Sequence, residues 1–216
     1  MIYLPKSQPA PESLEKEKKK KTGSYRELDV LERLKIDFKN KCYICEEKEP
    51  TNINVEHFKP HKEKDVDLKF DWNNLFFCCV HCNNTKLAKP IFDNILNCTE
   101  SDDVEKKISY KVSSFPKEHF LIKPLEDIDI IKNTVELLNQ IYNGTTELKT
   151  IEAENIRSKI LKKINFFYSL LIDYKNNNSN KEKIIQKLSS SSSYTAFKRW
   201  IIRENDVLMA DFSDNL

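Results

Sequence analysis

Two Cys-x-x-Cys pairs, Cys42-Tyr-Ile-Cys45 and Cys79-Val-His-Cys82, constrain this chain more than any other feature of its sequence. A tetrahedral Zn²⁺ takes four soft ligands, and a two-residue spacer lets two thiolates of one turn reach the same ion. One such pair reads as a redox dithiol, whereas two read as a structural zinc site with Cys42, Cys45, Cys79 and Cys82 as ligands. Residues 46–78 lie between the pairs, so a shared ion closes them into one unit. Four protein ligands leave no open position, and such a zinc holds the fold without performing chemistry. Cys78 and His81 sit beside the second pair and compete for the assignment. Cys79 with Cys82 repeats the spacing of the first pair, which leaves Cys78 and Cys98 as buried small apolar residues.

Glycine usage narrows the function classes. The 216 residues include two glycines, Gly23 and Gly144. A P-loop needs two glycines close together and a dinucleotide fingerprint needs three, because backbone N–H groups must approach phosphates closely. Neither pattern can be written here, so any nucleotide chemistry is expected to reside in a partner. No apolar run approaches the ~20 residues of a membrane span. The first dozen residues carry prolines in place of the hydrophobic stretch of a signal peptide. A cytoplasmic location follows as the expectation, and reduced thiols there favour metal over disulfides. The formal net charge is +2, from 36 Lys and Arg against 34 Asp and Glu. A nucleic-acid footprint must then be a local patch and not a global excess.

Periodicity and punctuation divide the chain into three stretches. Residues 1–24, with Pro5, Pro9, Pro11, Lys16 and Lys18–Lys21, read as a solvated, basic, partly disordered arm. Residues 25–115 hold the cysteine core. Ser24 with Glu27 forms a capping box for a helix over 25–39, with Leu28, Leu31, Leu34 and Phe38 on its inner face. Ile53–Phe58 and Lys107–Val112 read as strands. Residues 116–216 turn helical: Ile151–Tyr174 carries an apolar stripe, Asn176–Asn180 breaks it, and Lys181–Leu188 and Thr195–Arg203 follow around a serine-rich link. The expected class is α+β, a zinc-clipped core followed by a mainly α-helical C-terminal region.

Between and just after the knuckles lie Val55-Glu56-His57-Phe58-Lys59-Pro60, Trp72-Asn73-Asn74-Leu75 and Asn83-Asn84-Thr85-Lys86. Taken singly, a histidine is more often structural and asparagines mark turns. In this order inside a zinc clip they resemble the HNH nucleases of the ββα-metal fold. The resemblance implies His57 as general base, Glu56 and Asn83 as ligands of one divalent cation, and Asn74 as the brace of the loop that carries the base. Asn83 stands where the family more often has histidine, and Glu56 where it often has aspartate; both offer oxygens, which suit Mg²⁺ or Mn²⁺. Independently of the family, hydrolysis of a phosphodiester needs a base for water and positive charge on the phosphate and leaving oxygen. Lys86, one turn beyond Asn83, supplies such charge or is ordinary surface lysine.

Read more widely, Cys-x-Ile-Cys, Val-Glu-His-Phe-Lys-Pro, Trp-x-Asn-Leu and Cys-Asn-Asn-x-Lys resemble the PtuB-like nuclease subunits of Septu-type anti-phage systems, including retron-linked ones. Leu121–Pro124 with Asp127, Ile141–Gly144 to Glu154-Asn155, and Tyr194–Trp200 extend the likeness; Leu87 replaces the usual glycine after the motif lysine. The resemblance implies an effector endonuclease acting on DNA or RNA. It also implies control by an ATPase subunit and, in retron-linked systems, association with a reverse transcriptase and its non-coding RNA/DNA. The competing expectations are a catalytically inactive zinc-ribbon nucleic-acid-binding or scaffold protein, and a toxin acting without a partner. Phe197, Trp200 and Ile201, at helical spacing beside Lys198, Arg199 and Arg203, read either as a docking face for the ATPase or as core.

Overall fold

The computed structural model describes residues 1–62, 64–100, 103–113 and 118–216. The expected boundary at 115/116 lies outside the described residues. Two small antiparallel sheets are embedded in helices. In the first, β1 (Ile53–His57) pairs with β2 (Leu75–Cys79), with Val55 opposite Phe77 and His57 opposite Leu75. Every residue of β2 is buried, as its unbroken apolar run dictates. The chain turns directly into α4 (Val80–Leu87), which packs on both strands. The result is a strand–strand–helix unit. In the second sheet, β3 (Ile108–Ser113) pairs with β4 (His119–Pro124).

Around these sheets lie α1 (Glu12–Lys18), α2 (Leu28–Asp37), α3 (Val66–Phe70), α5 (Asp129–Asn143), α6 (Glu147–Asn177), α7 (Lys181–Leu188), α8 (Thr195–Arg203) and α9 (Asp206–Phe212). The long helix α6 begins at Thr146, whose hydroxyl accepts from the Lys149 N–H, and ends at Asn178 in the left-handed region. The asparagine break and the bounds of α7 and α8 match the periodicity reading. That reading does not delimit β4, α5 or α9. None of the helices among the described residues is long and apolar enough to cross a membrane.

The N-terminal stretch departs from the solvated arm expected of it. Met1, Ile2, Leu4 and Leu14 are buried, and the Leu4 N–H donates to the Cys98 carbonyl at 2.8 Å. Lys6 lies over the Trp72 ring, and the Trp72 indole donates to the Ser7 carbonyl at 2.9 Å. These four apolar side chains join the main core cluster, and their burial holds an otherwise polar segment to the fold. The block Lys18–Lys21 stays toward solvent, with Lys18 paired to Asp67 at 2.7 Å.

Helix α2 also differs. It starts at Leu28, and the Ser24 hydroxyl accepts from the N–H of Arg26, two residues on, in place of capping a helix. Val30, Leu34 and Phe38 form the buried stripe, while Leu28 and Leu31 face out.

Phe197 lies in the core, its ring against Tyr110, Phe120 and Tyr142. Arg199 and Arg203 both donate to one oxygen of buried Glu105, at 2.8 and 2.7 Å. Trp200 is half-buried. Helix α8 therefore packs into the domain through Phe197, Arg199 and Arg203, while Trp200 and Ile201 of the expected docking face keep part of their surface exposed.

Both glycines are sterically required. A Cβ on Gly23 would lie 1.9 Å from the Glu17 carbonyl oxygen. Gly144 closes α5 at φ +77°, and a Cβ there would lie 2.6 Å from Thr150 Cα. Gly144→Ala is expected to lower stability by about 1–3 kcal/mol, read as a shift in the urea midpoint at unchanged slope.

Candidate metal centre and candidate active site

The first knuckle is a tight hairpin. Cys42 N–H donates to the Glu47 carbonyl and Glu46 N–H to the Cys42 carbonyl, both at 3.0 Å, and Tyr43 N–H ties the turn to Phe77 of β2. The second knuckle is the β2–α4 junction, with Cys79 as N-cap and Cys82 in the first turn of α4. All four thiols are buried, and their sulfurs lie within 4.8 Å of one another, close enough to hold one metal ion. Burial opposes ionisation of Cys42, but the surrounding thiols hold it well below the usual thiol range. The Cys45 and Cys82 thiols are pushed well up, Cys45 by its cysteine neighbours and Cys82 by burial. A dication at their centre would let all four ionise. Cys78 and Cys98 are fully buried, with Cys78 Sγ 3.9 Å from Cys42. His81 is no ligand: its ring contacts Glu152 Oε2 at 2.6 Å and the Ile141 carbonyl at 3.1 Å, fastening α4 to α5 and α6.

Glu46 follows the first knuckle at φ +60° and acts as a hub that composition gave no reason to single out. Its buried carboxylate accepts from the Thr195 N–H at 2.7 Å and the Ala196 N–H at 3.3 Å, at the N-terminus of α8. It also lies 3.5 Å from Lys41 Nζ. A carboxylate suits a helix N-terminus, and here it joins the knuckle to the C-terminal helices. Glu46→Gln leaves Lys41 without its counter-charge and is expected to destabilise the protein by about 3–5 kcal/mol. The check is the thermal midpoint, with Glu47→Gln, at a more accessible position, as the near-neutral control.

His57 ends β1 and is half-buried. Its Nε2 lies 2.9 Å from the Lys69 carbonyl oxygen, which can only accept, so Nε2 carries the proton and Nδ1 the lone pair. The rings of Tyr25 and His61 flank it, with centroids 4.5 and 4.4 Å away. Burial pushes its pKa down to about 4, and nearby His61, Arg26 and Lys69 push the same way against the carbonyl. The imidazole is therefore neutral near pH 7, in cationic surroundings.

Asn74, buried after the single turn Trp72–Asn74, bonds Lys59 in both directions. Its Oδ1 accepts from the Lys59 N–H at 2.7 Å, and its Nδ2 donates to the Lys59 and Leu68 carbonyls at 2.9 and 3.0 Å. It thereby clamps the chain just beyond His57 to the segment whose Lys69 carbonyl orients the ring.

Glu56 and Lys86 differ from the open arrangement that the resemblance implies. Alternation along β1 turns Glu56 away from His57 and into the core, where it is 4% exposed. Lys86, 2% exposed, places Nζ 2.9 Å from Glu56 Oε1 and donates to the Phe58 carbonyl at 2.9 Å. Burial pushes the Glu56 carboxyl up, against the pull of Lys86. Lys86 is thus neither a surface charge nor free to meet a phosphate. Asn83 is half-buried on α4, and no hydrogen bond joins it to Glu56. The cysteines are the one assembled group of three or more His, Cys, Asp or Glu ligands among the described residues. Glu56 thus faces Lys86 inside the core, on the opposite side of β1 from His57, with both carboxylate oxygens buried and, among the described residues, without a hydrogen-bond partner beyond that ion pair.

Tyr25, His61 and the Lys69 carbonyl around His57 escaped the motif reading. His61 was visible four residues after His57, but a backbone carbonyl has no sequence signature. Comparison with protein-family models, with curated proteins and with solved structures finds no match.

Proposed function

We propose that this chain is an HNH-type endonuclease that hydrolyses phosphodiester bonds of DNA or RNA, with one structural Zn²⁺ on Cys42, Cys45, Cys79 and Cys82. The observation that carries the reading is the setting of His57. Its ring is neutral, oriented by a carbonyl at Nε2, and retains a lone pair on Nδ1, beside Arg26, Lys69 and His61. A water at Nδ1 gives up its proton to the ring as its oxygen attacks phosphorus, and the bond to the leaving sugar oxygen breaks as that oxygen takes a proton from solvent water. The neighbouring cationic side chains attract the phosphate, and Asn74 keeps the base-bearing segment from drifting.

The effector role in an anti-phage complex controlled by an ATPase subunit rests on the motif resemblance and on a sequence without a phosphate-binding glycine loop. Its test is co-purification with the product of a neighbouring ATPase gene. Labelled DNA and RNA strands, incubated with the chain alone and with such a partner, test cleavage directly. The same assay with added Mg²⁺ or Mn²⁺ tests metal dependence. Cleavage that needs the ion and survives Glu56→Gln assigns the ion to other ligands. The buried Glu56–Lys86 pair favours a second reading, a zinc-ribbon scaffold that has lost catalysis. Absence of any His57-dependent cleavage would select it.

A further inference from the structure

The first knuckle, α6 and the α7–α8 link enclose a groove of about 560 Å³. It shares no lining residue with the surroundings of His57. Six lysines line it: Lys48 from the knuckle, Lys159, Lys162 and Lys163 from α6, Lys187 from α7 and Lys198 from α8. No acidic residue is among those lining it; Glu47 pairs with Lys159, and buried Glu46 lies 3.5 Å from Lys41 behind the floor. On α6 the spacing 159, 162, 163, 166 puts three lysines and Phe166 on one stripe. Phe166 is 50% exposed, with Lys187 Nζ 5.6 Å from its ring centre. The floor is built and not merely a collection of surface charges. Lys198, 1% exposed, is held by Ser192 Oγ at 2.6 Å and the Ser193 carbonyl at 2.5 Å. Lys41 donates to the Ser192 carbonyl at 2.8 Å beside it. The serine link, which in sequence is only a flexible low-complexity run, wraps the buried amino ends of Lys41 and Lys198 and shapes one wall.

We propose that this groove binds a single-stranded nucleic acid, with Lys48, Lys159, Lys162, Lys163 and Lys187 on its phosphates and Phe166 stacked on a base. Concentrated positive charge answers a polyanion, and an exposed aromatic within it answers the face of an unstacked base, which a duplex conceals. The groove would hold the strand outside the catalytic residues. The inference rests on the nuclease reading for its choice of nucleic acid among polyanions.

The test measures binding, not cleavage, so the two readings can fail separately. Fluorescence anisotropy of a labelled oligothymidylate is followed with the His57→Ala protein at ~0.1 M salt without added divalent cation. The double variant Lys162→Glu/Lys163→Glu should weaken binding at least tenfold. It should also make the slope of log affinity against log salt shallower by about 1.4, two phosphate contacts at ~0.7 each. Phe166→Ala should weaken strand binding by about 5- to 100-fold and leave inorganic polyphosphate binding unchanged. Both sites are at the surface; should charge reversal disturb folding, Lys162→Gln and Lys163→Gln read the same loss. Oligonucleotide affinity unchanged in these variants overturns the proposal. So does an equal effect of Phe166→Ala on polyphosphate, tighter binding of duplex than of single strand, or displacement of the strand by polyglutamate at equal charge. Retained, groove-dependent binding by a protein that never cleaves sinks the nuclease reading and leaves the groove standing.

Discussion

Cys45→Ser protein will fail to reach the native fold, and chelation of the wild-type protein will unfold the same region. The four sulfurs come from two segments, a hairpin turn and the β2–α4 junction, that the chain brings together over 33 intervening residues. Binding of a structural zinc in small domains is worth roughly 10–16 kcal/mol, more than the whole net stability of most domains. One equivalent of zinc per chain is expected on metal analysis, with Zn–S distances of ~2.3 Å by X-ray absorption. Loss of one thiolate should be read as loss of cooperative unfolding and of near-ultraviolet dichroism from the buried aromatic cluster around Tyr43, Phe58 and Phe76. A metal-free preparation that unfolds cooperatively, and a Cys45→Ser protein that matches it, would remove zinc from the account.

His57→Ala will lower cleavage by about 10²- to 10⁴-fold while leaving fold and zinc content intact. The ring is half-buried and makes one hydrogen bond, so its loss disturbs little structure. The chemistry loses its proton acceptor, whereas strand binding does not involve the ring. In single-turnover cleavage the fall should therefore appear in the rate at saturating strand concentration and not in the affinity. Asn74→Ala separates positioning from chemistry. Its side chain hydrogen-bonds only backbone, so it should reduce cleavage through the loop and also lower stability, since three partly buried hydrogen bonds are broken. Undiminished cleavage by His57→Ala protein would refute the assignment.

Much of the architecture is legible one segment at a time. Cysteine spacing selected the four sulfurs that the fold brings together, because a two-residue spacer is a local geometric fact. The apolar stripe of α6, the asparagines that end it and the limits of α7 and α8 were equally local. Strand β1 falls within the stretch Ile53–Phe58 read as a strand and ends one residue earlier, at His57, where the resemblance puts its histidine. β4 and α9 were less legible, being short, whereas α5 carries a helical stripe at Ile131, Val135, Leu138 and Tyr142 that periodicity could have delimited.

What the sequence could not determine was which partner each polar or marginal side chain would take. Glu56 and His57 are neighbours in the chain, yet alternation along β1 sends one to Lys86 in the core and the other to the Lys69 carbonyl. Lys86 reads as a surface lysine until the fold surrounds it. The N-terminal stretch reads as a solvated arm until Trp72 and Cys98 give it something to cover, and α8 reads as a docking helix until Glu105 claims both arginines. Spacing and periodicity act over a few residues and survive in sequence. Neutralising a buried charge or covering an apolar ring depends on groups far away in the chain, and only the tertiary structure supplies them.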